Sequence, residues 1–150
     1  MSDTTSDTRR APTRGHGPLV ATGLLGTAGA MAATAAGAAL ARVAGVGFEV
    51  PDGGETIPVS GVAFVTGVFS LVGVGLALAL LRWSARPAER FVQAAVVLTA
   101  ASLVPPFVVG ASLGTSLALV ALHLVAAAVM VPALARGLRT CSAHRSVGSA

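Results

Sequence analysis

Residues 91–135 contain no Asp, Glu, Lys or Arg, and two earlier stretches, 18–41 and 57–81, are equally free of charge. A run of about 23 apolar residues rising 1.5 Å each covers roughly 35 Å, enough to cross a hydrocarbon core of about 30 Å. The charge-free run at 91–135 is too long for one crossing, and the turn-forming GASLGTS, Gly110 to Ser116, divides it. The sequence therefore predicts an all-α fold: a bundle of four transmembrane helices near 18–41, 57–81, 89–109 and 115–134. They make one membrane domain, 18–138, between polar tails at 1–17 and 139–150, the first of them expected to be disordered.

Composition excludes the main competitor, an Ala-rich soluble bundle. The chain is 54% hydrophobic and only 11% charged, where a soluble domain carries about 25% charged residues. A domain this small could not hide that much apolar surface from water. A single cysteine, Cys141, rules out an internal disulfide, a CxxC redox pair and a cysteine-built zinc site. The basic residues are all Arg. They gather in the N-terminal flank (Arg9, Arg10, Arg14), the loop 82–90 (Arg82, Arg86, Arg90) and the tail (Arg136, Arg139, Arg145). The loop between helices 1 and 2 holds Arg42 against Glu49, Asp52 and Glu55. This asymmetry predicts cytoplasmic N- and C-termini. It reads as membrane orientation, and no nucleic-acid partner is expected. Arg9 and Arg10 ahead of an apolar run resemble a twin-arginine signal, but the run exceeds the 7–15 residues of a signal core.

Helix 4 raises a sharper question. In SLALVALHLVAAAVMVPAL, Ser116 to Leu134, one histidine sits among Leu, Val and Ala. Counted from the outer helix ends, His123 lies about eight residues below Thr115, or roughly 12 Å deep. Ser102 is about eight residues below Gly110, Thr66 about nine below Ile57 and Thr34 about seven below Ala41. Every helix thus places a polar side chain at similar depth in the outer leaflet. Helix 3 adds SLVPP, Ser102 to Pro106. Proline has no amide hydrogen, so Pro105 and Pro106 break the helix and leave the carbonyls of Ala101 and Ser102 without their helical donors. Unsatisfied groups are costly in lipid. Two roles for His123 follow. Its N–H is available to repair those carbonyls, or the imidazole is a site for a ligand or a proton. Glu55, with Asp52 and Glu49, stands at the mouth of such a site.

Other chemistries find little support. One buried histidine cannot ligate haem from both sides, and Ser102 with His123 has no buried carboxylate to complete a triad. No zinc-protease, nucleophile-elbow or phosphate-loop motif occurs. The carboxylates at 49, 52 and 55 lack the ordered spacing of a calcium loop. No metal or cofactor is expected. Small multidrug transporters share the length and helix count, but they depend on a glutamate inside helix 1, and helix 1 here has none. Small residues at Gly29, Ala33, Gly37 and Ala41 give helix 1 a close-packing stripe, whose partner is either helix 2 or a second copy.

The pattern GETIPVSGVAFVTGVFSLVG, then ASLVPPF, then LALVALHLVAAAVMVPALAR resembles a family of uncharacterised four-helix membrane proteins from actinobacteria, over roughly 19–138. The family pattern falls on Glu55, Pro58, Thr66, Ser102, Pro105, Pro106, His123 and Pro132. The resemblance implies the fold and this set of residues, and brings no activity with it.

The sequence as a whole predicts a non-enzymatic integral protein of the bacterial cytoplasmic membrane. Its polar site, drawn from His123, Ser102, Thr66, Thr34 and Glu55, would bind a small molecule, a lipid or a partner helix. The alternative is a proton-coupled transporter or channel that acts as a homo-oligomer, with His123 titrating. Topology is directly testable. In a Cys141→Ser background, Asp52→Cys should react with an impermeant thiol reagent from outside and Ser84→Cys from the cytoplasmic side; outside labelling of Ser84→Cys reverses the orientation.

Overall fold

The computed structural model describes residues 16–49, 56–108 and 110–147. Its helices are α1 (Gly17–Val43), α2 (Val59–Trp83), α3 (Pro87–Ser102), α4 (Pro105–Val108) and α5 (Leu113–Val147). The described residues contain no strand, only an isolated bridge between Glu49 and Thr56. Four segments are long and apolar enough to cross a membrane: α1, α2, α3 continued by α4, and α5 as far as Ala143.

Proline sets most of the boundaries. Pro18 and Pro87 occupy the first turns of α1 and α3, where a missing N–H costs nothing. Pro58 precedes α2 in an extended conformation. Glu89 lies in the first turn of α3, where a negative charge meets the positive end of the helix dipole. Pro105 and Pro106 stop α3 at Ser102 and start the short α4, so the predicted third helix is two pieces. At the same end of the bundle as this break, Phe48 folds back from the loop after α1 and is 1% exposed. Its φ of 51° is rare for a side chain of that size. Burial against Ala38 and Leu122 holds it there.

α1 packs on α2 and α5, and α3 packs on α5 and α2. The buried face of α1 is Leu19, Gly23, Thr27, Ala30, Thr34 and Ala38, a spacing of three and four that draws one line along a helix. Beside it, the predicted stripe meets α5 of the same chain. A Cβ added to Gly37 would lie 2.7 Å from Leu122 Cδ2, so a larger residue there would push the Leu122 side chain aside.

α5 corrects the sequence reading. It continues to Val147, well past the expected stop at 134 and through much of the tail assigned to 139–150. Leu134, Leu138 and Cys141 recur at helical spacing, and Leu134 and Leu138 are fully buried in one cluster with Leu19. Gly137 makes room for this contact, since a Cβ there would stand 2.7 Å from Leu19 Cδ1. The start of α1 and the end of α5 therefore close the same end of the bundle.

Most other large apolar side chains face outward, as lipid requires. α3 with α4 is the most peripheral span, with only 6% of its apolar window buried. Leu138→Ala should cost about 2–5 kcal/mol, the range for a fully buried leucine, and lower the thermal midpoint in detergent. Leu25→Ala, at a position 75% exposed, should shift it little.

Candidate functional site

The peripheral placement of α3 leaves a cleft of about 610 Å³ between α2, α3–α4 and α5. Ligand pockets commonly fall in the range of about 300–1,000 Å³. Three of the predicted polar residues come together here. Thr66 lines it from α2, Ser102 from the last turn of α3 and His123 from α5, with Pro105 and Pro106 at one end. Val65, Phe69 and Leu98 also line the cleft and are 51%, 68% and 56% exposed. The cleft thus opens sideways, toward the lipid, between α2 and α3.

Thr34 is placed differently. It is 1% exposed, lies in the α1–α2 contact, and is not part of the cleft wall. Its Oγ1 stands 2.9 Å from the Ala30 carbonyl oxygen and 3.1 Å from Thr66 Oγ1. The Thr66 hydroxyl donates to the Val62 carbonyl at 2.9 Å, which leaves its oxygen to accept from Thr34. This pair fastens α1 to α2. Glu55 and Asp52 lie outside the described residues. Arg42 donates to the Ile57 carbonyl, which ties the end of α1 to the entry of α2. Among the described residues no three of His, Cys, Asp and Glu come together as a metal site would need.

Of the two carbonyls freed by the prolines, that of Ala101 finds a donor without His123. The Val104 N–H donates to the Ala101 carbonyl at 3.3 Å, and the Leu103 N–H to the Ala100 carbonyl at 3.2 Å. These three-residue turns tighten the helix end, as often happens where a helix stops. The Ser116 hydroxyl donates to the Pro106 carbonyl at 2.8 Å and pins α4 to α5. Ser112 in turn caps α5, its Oγ accepting from the Thr115 N–H at 3.2 Å. The expected bond from His123 to the Ala101 or Ser102 carbonyl is absent. Among the described residues the half-buried imidazole of His123 makes no hydrogen bond, although it faces the cleft.

Two polar residues were not anticipated. Ser70 and Thr99 also line the cleft. Lone Ser and Thr in apolar helices usually bond their own backbone, so neither draws notice. Spacing would have found them: Ser70 lies one turn from Thr66, and Thr99 three residues from Ser102, each on the same helix face.

The arrangement is that of an all-α bundle of four membrane-spanning helices with a lateral cleft that is apolar along most of its wall and polar at a few points. The chain belongs to the family of unknown function DUF6069, whose family model matches residues 14–140. No curated protein and no solved structure matches it.

These contacts distinguish the two roles of His123. In a double-mutant cycle, His123→Leu combined with Pro105→Ala and Pro106→Ala should be additive within about 0.5 kcal/mol, as for residues that share no bond. Thr34→Val with Thr66→Val should instead show coupling of about 0.5 kcal/mol or more. Thermal or chemical unfolding in detergent measures both.

Proposed function

We propose that this chain is a non-enzymatic binding protein of the bacterial cytoplasmic membrane, which takes a lipid-soluble small molecule from the bilayer into the cleft at His123. The observation that carries the reading is the unpartnered imidazole in the cleft wall. Polar groups inside a membrane normally find partners within the protein, and an intramembrane ionisable side chain marks a site by default. Here the open bonding capacity faces a space large enough for a ligand.

Orientation follows from charge. Arg82, Arg86, Arg90, Arg136 and Arg139 gather where α2 ends, α3 begins and α5 leaves its apolar run. The positive-inside rule assigns that end to the cytoplasm. Ser102, Pro105 and Pro106 then belong to the outer half of the bilayer, so ligand enters from the outer leaflet.

Native mass spectrometry of protein released from its own membranes tests the reading. Wild type and Leu25→Ala should carry a bound small molecule, and Thr99→Trp, which fills the cleft, should lose it while keeping its thermal midpoint. Wild type that carries only bulk phospholipid would refute the binding role. Proton flux into liposomes that is lost in His123→Ala would replace it with proton-coupled transport.

A further inference from the structure

The hydrogen-bonding capacity of the cleft wall limits what can sit in it. A hydroxyl group has one hydrogen to give. Ser102 gives its hydrogen to the Leu98 carbonyl at 2.7 Å, and Thr66 gives its own to Val62. Both oxygens are therefore left as acceptors, and that of Thr66 already receives Thr34. An uncharged imidazole offers one N–H and one lone pair. The Ser70 and Thr99 hydroxyls have no partner among the described residues and can turn either way. Among the described residues no Arg, Lys, Asp or Glu lines the cleft.

Each of these facts removes a class of ligand. A phosphate, carboxylate or ammonium head would be drawn into the hydrocarbon layer with no opposite charge to meet it, which is strongly unfavourable. A ketone, quinone or ether brings acceptors only. It would take the imidazole N–H and leave the Ser102 oxygen unmatched. A hydroxyl head matches both sides, accepting from the His123 N–H and donating to the Ser102 oxygen. The exposed apolar flanks at Val65, Phe69 and Leu98 let a hydrocarbon body remain in the bilayer while the head enters. We infer that the cleft selects an uncharged lipid alcohol, held between His123 and Ser102. This rests on the binding role proposed above and adds the chemistry of the ligand.

The test uses the full-length protein in phosphatidylcholine nanodiscs and three photoactivatable probes with one diazirine-bearing C16 chain: the alcohol, its methyl ether and its sulfate. Adducts are mapped by peptide mass spectrometry. The alcohol should label the cleft segments of α2, α3 and α5 about tenfold more than the other two probes, the scale of one buried hydrogen bond left unmatched. His123→Leu should abolish that preference. His123→Gln, which keeps a donor and an acceptor, should retain much of it. If the ether or the sulfate labels the cleft as well as the alcohol does, the ligand class is wrong and the binding role stands. If no probe labels the cleft above the lipid-facing side of α1, both fall.

Discussion

In hydrocarbon, moving a leucine from lipid to a helix contact gains little, because both surroundings are equally oily. Helices in a membrane are held instead by close fit and by the few polar bonds between them. The approach of α1 to α5 is the fit on which this bundle depends. Gly37 admits Leu122 near one end, and Gly137 admits Leu19 at the other. With α1 seated on α5 and α2, little room is left for α3, which rests on the far side of that group. The cleft is the consequence. α3 reaches α5 and α2 but does not fill the space between them.

Polar side chains in the spans show how strictly bonding is satisfied. Thr27, Thr66 and Ser102 bond carbonyls of their own helices and Thr34 bonds across to Thr66, and among the described residues no fully buried side-chain nitrogen or oxygen lacks a partner. At the double proline a short turn gives the Ala101 carbonyl a donor, and the Ser116 hydroxyl pins the piece that follows. Against this background His123 stands out because its surroundings offer it nothing. Of the other polar side chains on the cleft wall, Thr66 and Ser102 have already committed their hydrogens to their own helices.

The sequence made the spans legible because crossing a membrane is a one-dimensional requirement, met by length and absence of charge. The depth of His123, Ser102 and Thr66 was legible for the same reason. Rotation about each helix axis was not. Thr34 has the right depth and faces α2, while Ser70 and Thr99 face the cleft and carried no signal of their own. The end of α5 was obscured by Arg136 and Arg139, whose charges suggested a tail. The helix continues because Leu138 and Cys141 sit on its other side, in register with Leu134.

The fold joins the first span to the last, and this has a consequence for how the chain is made. Leu19 and Gly37 emerge from the ribosome about a hundred residues before Gly137 and Leu122 can meet them. At about 5–20 residues per second that is a wait of some seconds. Through that interval the glycine-bearing face of α1 is inside the membrane with its final neighbour not yet synthesised. Its small residues offer the same close fit to any passing helix. Release of the C-terminal segment is thus the event that completes the bundle, and a chain cut short before α5 would leave α1 inserted with that face open.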